Sequence, residues 1–279
     1  MKGSVAIAAI GALTVLCALA EEETLQQSRR PIFSGSVNLM VASGYLATSG
    51  AIYDTMPITT QMLYGKADFG EWGYLDGYGW FISSLHNRQN DQHRPLFHEF
   101  EGTLCYGYKY NVTDLVHVDT KAGPLWNPPI GYHGSHKNYW GPYISQSMEN
   151  PYIVPYWSGF WLLEPQRRGR IRMGLRKSFA PYEHFSITPF AETVWMDRRR
   201  FNTRYGGDPE KDHFFGGTFA TVTTGAKATW TFSDGWKLYA ILMQFDIVNT
   251  QARRSVKRSD AYYAKCDWPI IRVGVEYNF

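Results

Sequence analysis

The sequence predicts an all-β fold: a transmembrane, antiparallel up-and-down barrel of about twelve strands, with ten as the fallback. Three observations carry this expectation. The last nine residues, Ile271 to Phe279, alternate apolar and polar without a miss, the period of two that marks a strand. Segments of about ten alternating residues recur along the chain, joined by connections that are by turns short and long, as in a barrel threaded with both termini on one side. The interior segment Arg170 to Ser178 puts Ile171, Met173 and Leu175 on one face and Arg170, Arg172, Arg176 and Ser178 on the other. A guanidinium facing hydrocarbon near the midplane costs roughly 2 to 4 kcal/mol, so that second face must point inward.

Strands are expected, in order, at Gly35 to Tyr45, Pro57 to Lys66, Tyr74 to Leu85, His98 to Tyr110, Asp114 to Ala122 and Lys137 to Met148. Six more follow at Ile153 to Glu164, Gly169 to Phe179, Phe185 to Met196, Gly217 to Phe232, Trp236 to Asn249 and Pro269 to Phe279. Tight turns are expected at Asn111 to Thr113, Ala180 to Glu183 and Ser233 to Gly235, where Asp-Gly is a strong hairpin signal. Long connections, expected to be extracellular, lie near His86 to Phe97, Gly123 to His136, Asp197 to Gly216 and Thr250 to Trp268. The sixth strand has the poorest alternation, and Pro189 must remove a ladder bond unless a bulge absorbs it.

The N-terminus reads as a signal peptide: Lys2, an apolar run from Val5 to Leu16, then Ala18-Leu19-Ala20 before three glutamates. This divides the chain into residues 1–20, cleaved; 21–34, an N-terminal periplasmic segment; and 35–279, the barrel. Leu16 stands where a lipoprotein signal at Cys17 needs a small residue. After Ala20 no apolar run approaches the roughly 20 residues of a spanning helix, and mean hydropathy is -0.34. A barrel hides its membrane signal in this way, because half of each strand is polar. Aromatic residues make up 16%, with 19 Tyr, 10 Trp and 26 Gly, which suits interfacial girdles and a lumen needing small residues. A net charge of +3 gives no reason to expect nucleic acid as a partner. Cys105 and Cys266, far apart in sequence, are expected as free thiols without a metal or other cofactor.

The closing strand resembles that of Gram-negative outer-membrane β-barrels, whose assembly machinery reads a C-terminal Phe with alternating apolar positions upstream. Here the matching residues are Ile271, Val273, Val275, Tyr277 and Phe279. The Ser43-Gly44-Tyr45 exit of the first strand and the Asp-Gly hairpin before the penultimate one are similar to small porin-like barrels of that membrane. The resemblance implies a bacterial outer-membrane location, with lipid, lipopolysaccharide and the assembly machinery as partners. In size the chain is similar to the twelve-stranded channels for acidic oligosaccharides, an analogy of architecture.

The lumen-facing set expected from alternation is Glu99, Glu101, Thr103 and Lys109; Arg170, Arg172 and Arg176; Ser186, Thr188 and Glu192; Lys227 and Thr229; Gln244 and Asp246; and Arg272 and Glu276. The opposite faces carry Phe100, Leu104 and Tyr108; Val222, Ala226, Ala228 and Trp230; and Tyr239, Ile241, Met243 and Phe245, expected as the lipid belt. Two functions fit such a lumen. An Arg stripe facing carboxylates makes a porin-like channel with a transverse field, passing small hydrophilic and anionic solutes. Its pore-lining candidates are Arg170, Arg172, Arg176, Arg272, Lys227, Glu192, Glu276 and Glu101. Alternatively Arg172, Arg176 and Arg272 pair with Glu192, Glu276 or Glu101 and plug the barrel, leaving a surface role to its basic loops. Those loops carry Arg198, Arg199, Arg200 and Arg204, and Arg253, Arg254, Lys257 and Arg258.

Catalysis is not expected. His86, His93, His133, His136 and His213 fall in or beside loops with Ser83, Ser84 and Ser135 near. No Ser–His pair is spelled out with a third group to orient the base.

Overall fold

The computed structural model describes residues 31–47, 51–54, 57–85, 99–127, 139–163, 168–199, 201, 217–258 and 266–279. In chain order, β1 (Ile32–Ala42) leads into a small hairpin of β2 (Tyr45–Ala47) and β3 (Ala51–Asp54). Next come β4 (Ile58–Asp68), β5 (Tyr74–Ser84), β6 (Glu99–Thr113), β7 (Val116–Asn127), β8 (Tyr139–Glu149), β9 (Val154–Leu162) and β10 (Arg168–Arg176). The rest are β11 (Phe179–Tyr182), β12 (Phe185–Met196), β13 (Thr218–Ser233), β14 (Trp236–Ile247), the helix α1 (Thr250–Arg258) and β15 (Asp267–Asn278).

Twelve of these strands make a closed antiparallel ring. Its order is β10-β9-β8-β7-β6-β5-β4-β1-β15-β14-β13-β12, and β12 pairs back onto β10. Each of the twelve expected strands has its counterpart, including the poorly alternating sixth, which is β8. The first begins three residues earlier than expected, at Ile32. Closure satisfies the edge groups that an open sheet would expose, which hydrocarbon cannot tolerate. The first and last strands of the ring pair directly, and at one end of that seam Gly35 and Phe279 exchange two backbone hydrogen bonds of 3.0 Å.

The two ends of the ring differ. At what we term the turn end, connections are tight. Asp114 and Leu115 link β6 to β7, and Asp234 with Gly235 link β13 to β14. Gly235 has φ +75, where an L side chain is strained, and a Cβ there would lie 2.5 Å from the Asn278 carbonyl oxygen. Between β8 and β9, Asn150 Oδ1 accepts from the N–H groups of Tyr152 and Ile153, each at 3.0 Å, a side chain standing in for a backbone turn. The loop end carries the longer connections. Expected boundaries move here too: the first tight turn falls at Asp114-Leu115, after Thr113, and β7 runs on through Gly123 to Asn127, so the connection after it starts later.

Pro189 is absorbed by a gap instead of a bulge. Its carbonyl accepts from Lys177 N at 3.2 Å, so its missing N–H faces the same side, toward the two residues that separate β10 from β11. β11 resumes with the register that β10 leaves: Arg176 stands opposite Phe190 and Phe179 opposite Ile187. The extra strand outside the ring is thus the far end of β10, cut off opposite a proline. The turn expected at Ala180 to Glu183 therefore lies at Glu183-His184.

Ladder partners share a face, and exposure separates the faces. Val37, Leu39, Val41, Leu63, Leu104, Tyr108, Leu175, Trp230, Leu238, Ile271 and Val273 are exposed and outward, forming the apolar belt. One expected face is inverted. Tyr239, Met243 and Phe245 are buried and inward, while Leu238 and Leu242 are exposed. Ile241 joins the inward set, opposite Lys227 and Arg272. Gln244 and Asp246 accordingly lie on the outer face. Both faces of β14 are apolar from Leu238 to Met243, so alternation carried no polar mark to tell them apart.

Candidate channel lumen

The inner wall is built from charges held by aromatic hydroxyls. On β10, Arg172 Nη2 meets Glu192 Oε2 of β12 at 2.7 Å, and Tyr156 of β9 donates its hydroxyl to Glu192 Oε1 at 2.6 Å. Gly174 leaves the room for that ring, since a Cβ there would lie 2.5 Å from Tyr156 Cζ. Arg176 Nη2 meets Glu149 Oε1 of β8 at 2.8 Å and stacks over Tyr156, 5.4 Å from its centroid. Arg170, buried, lies 5.3 Å over the Phe160 ring.

A second group occupies β4 to β7. Lys121 Nζ meets Asp76 Oδ2 at 2.6 Å, and Tyr74 donates its hydroxyl to Asp119. Lys66 meets Asp68 Oδ2 at 2.6 Å and lies 4.4 Å over the Tyr74 ring. Tyr78 donates to the buried Glu101 at 3.0 Å. A third group spans β1, β14 and β15: Tyr239 donates to Asn38 Oδ1 at 2.7 Å, and Asn38 Nδ2 reaches Glu276 Oε2 at 3.4 Å. Lys227 lies 4.5 Å over the Tyr239 ring.

The structure thus places Arg170, Arg172, Arg176, Glu192, Lys227, Arg272, Glu276 and Glu101 on the inner face, on five strands of the ring. It brings Arg172 and Glu192 together. Arg176 takes Glu149 as its partner, a carboxylate the alternation reading did not name. Going round the ring from β10, the strand β4 is six places away in either direction. The arginine strand therefore faces the wall of Lys66, Asp68 and Asp76, which holds both signs in alternation.

Lys66, Asp76, Asp119, Lys121 and the tyrosines 74, 78, 156 and 239 were missed from sequence. Their strands mix aromatic and charged residues on the inner face, so a hydrophobicity pattern alone does not sort them. The available signal was the recurrence of Tyr or Lys beside Asp two residues apart, as in Lys66-Ala67-Asp68 and Asp119-Thr120-Lys121.

Toward the loop end the inner wall turns apolar. Three buried clusters sit there: Ala42, Ile58 and Ile82; Leu125, Phe160 and Leu162; and Val194, Met196, Phe201, Ala220, Phe245, Ile247 and Ala252. The loop histidines 86, 93, 133, 136 and 213 lie outside the described residues, as do Arg200, Arg204 and the predicted signal peptide. Cys105 and Cys266 are buried free thiols.

No protein-family model and no curated protein matches the chain. Among solved structures, the NanC porin is 10% identical, with a TM-score of 0.51, over 87% of this chain and 98% of its own. An outer-membrane channel from Pseudomonas putida F1 is 10% identical, with a TM-score of 0.51, over 92% and 100%. The KdgM porin is 11% identical over 88% and 99%, at a TM-score of 0.46. At such identities the likeness is one of fold. The chain has the closed twelve-stranded architecture of porin-like outer-membrane barrels.

Proposed function

We propose that the protein is a passive channel of the bacterial outer membrane for small hydrophilic solutes, with a preference for anions. The observation that carries this is Arg172. It points inward from the middle of the β10 wall and is ion-paired, yet 41% of its side chain is exposed. An inward side chain with that much free surface borders unfilled space in the lumen, which a packed salt-bridge plug does not leave. A ring of about twelve strands also encloses more than the eight-stranded barrels that side chains fill.

In this reading the pore is lined by Arg172, Arg176, Arg272, Lys227, Glu192 and Glu276, with Arg170 and Glu101 buried behind that wall, and the protein is exported by a cleaved signal peptide. Its belt meets lipid, its basic loops meet lipopolysaccharide, and Ile271, Val273, Val275, Tyr277 and Phe279 are offered to the assembly machinery. The test is single-channel conductance of the refolded barrel in a planar bilayer under a salt gradient. Stable steps with anion preference, weakened by Arg172→Ala with Arg176→Ala, are the expected result; unchanged selectivity removes the arginine stripe from the account.

A closed barrel with a surface role is the second reading, and the buried apolar clusters at the loop end favour it. Silence from a verified folded barrel decides for it.

A further inference from the structure

The connection between β14 and β15 folds a helix against the apolar part of the inner face. Asn249 starts α1, its Oδ1 accepting from the N–H groups of Gln251 and Ala252, each at 3.0 Å. This satisfies two donors that a helix start leaves unpaired. Ala252 is fully buried, and Val256 one turn later packs on the same cluster as Val194, Met196, Phe245 and Ile247.

Those four face inward. Val194 and Met196 stand opposite Arg172 and Arg170 in the ladder, Phe245 stands opposite Thr223 and Ile247 opposite Thr221. A helix packed on them lies over the inside of the ring. Arg253 ties it down: Nη1 donates to the Ile247 carbonyl at 3.0 Å and Nη2 meets Asp267 Oδ2 at 3.3 Å. Cys266 Sγ contacts the Arg253 carbonyl at 3.6 Å, so both ends of the connection are held on one wall. With positions 252 and 256 turned to the wall, the helical period turns Arg254 and Lys257 away from it, and both are exposed.

We propose that α1 is a constriction at the loop end, where Arg254 and Lys257 select anionic solutes bearing carboxylate or phosphate oxygens. The inference rests on the channel reading above. Cations set in a narrowed mouth with low-dielectric walls focus the field and concentrate anions there. The two side chains lie three residues apart on one helix face, close enough for a fork and an ammonium to hold one anionic group. Arg172, further in on the same face of β10 and partly exposed, is a cation that such a solute meets beyond the constriction.

The test is the reversal potential of single channels under a potassium chloride gradient, for the wild type and for Arg254→Glu with Lys257→Glu. The anion-to-cation permeability ratio is expected to fall by about tenfold at 0.1 M salt, the lower end of what field focusing in a charged cleft gives. The fall should be much smaller near 1 M, where the Debye length drops from about 10 to about 3 Å. A conducting wild type whose ratio is unmoved by the double substitution overturns the constriction and leaves the channel standing. A folded wild type that does not conduct overturns the channel, and the constriction with it.

Helix seating is read separately in a Cys105→Ser background, as the rate at which a maleimide modifies Cys266. Ala252→Asp should raise that rate by at least about tenfold, as expected when a buried side chain becomes open to solvent. Equal rates mean that α1 is not held on the wall, which also overturns the proposal.

Discussion

The lumen holds ion pairs of two kinds, and they should behave differently on mutation. The Lys121–Asp76 pair is closed off, with only 4% of the Asp76 side chain exposed, whereas Arg176 and Glu149 are both nearly half exposed. Removing one member of a buried pair leaves an uncompensated charge and costs about 3 to 5 kcal/mol, while exposed pairs are worth about 0 to 1 kcal/mol. Asp76→Asn should therefore lower the urea midpoint of the barrel in lipid clearly, and Glu149→Gln should hardly move it. Equal shifts would mean that water reaches Asp76 as freely as Glu149. Glu192 has a different role, since it neutralises Arg172 and takes the Tyr156 hydroxyl at the same time. Glu192→Gln keeps an acceptor for Tyr156 but uncovers the guanidinium, so in a conducting pore the reversal potential should move toward greater anion preference. A shift toward cations, or none, would show that permeating ions do not sense this pair.

Strands were legible where their faces differed in polarity. Arg170 to Arg176 and Ile271 to Phe279 each oppose a charged face to an apolar one, and both keep the faces read from alternation. β14 did not, because Leu238, Ala240 and Leu242 on one side and Tyr239, Ile241 and Met243 on the other are equally apolar. Its inner face packs against α1 and Trp268 and so needs no charge, a tertiary reason that no local pattern carries. The correction is testable with nitroxide labels on single cysteines at positions 242 and 243 in a cysteine-free background. The label at 242 should collide with lipid-dissolved oxygen and the label at 243 should not; the opposite result would restore the face read from sequence. The same strand gives an energetic check. Leu242, 61% exposed and mid-strand, faces lipid, so Leu242→Arg should cost roughly 2 to 4 kcal/mol on refolding into bilayers. Pro189 is a second limit on legibility: the residue announced a broken ladder, but the gap that receives it belongs to the neighbouring strand.

At the scale of the whole barrel, the polar wall was partly visible in advance and the apolar loop end was not. Charged residues on a strand flanked by apolar neighbours must turn from lipid, so the arginines could be placed one strand at a time. The loop-end clusters join residues from strands far apart in sequence, such as Ala42 with Ile82 and Val194 with Phe245, and nothing local distinguishes them from belt residues. Closure of the ring is where sequence and structure meet most directly. β15 pairs with both β14 and β1, and its outward residues Ile271, Val273, Tyr277 and Phe279 are all exposed. The Phe279 ring lies over Gly35 of β1, where a Cβ would come within 2.6 Å of its Cζ. With 63% of its surface exposed, Phe279 adds little buried area to the folded barrel, while its backbone exchanges two of the hydrogen bonds of the β1–β15 seam, neither of which needs the aromatic side chain. Phe279→Ala should then leave urea-driven refolding into pure lipid almost unchanged, because it removes neither bond and only an exposed contact. In cells the same variant should reduce the heat-modifiable folded band in the outer membrane several-fold if the ring is what the assembly machinery reads. Equal loss in both settings would make Phe279 a structural closure residue, and no loss in either would remove it from assembly altogether.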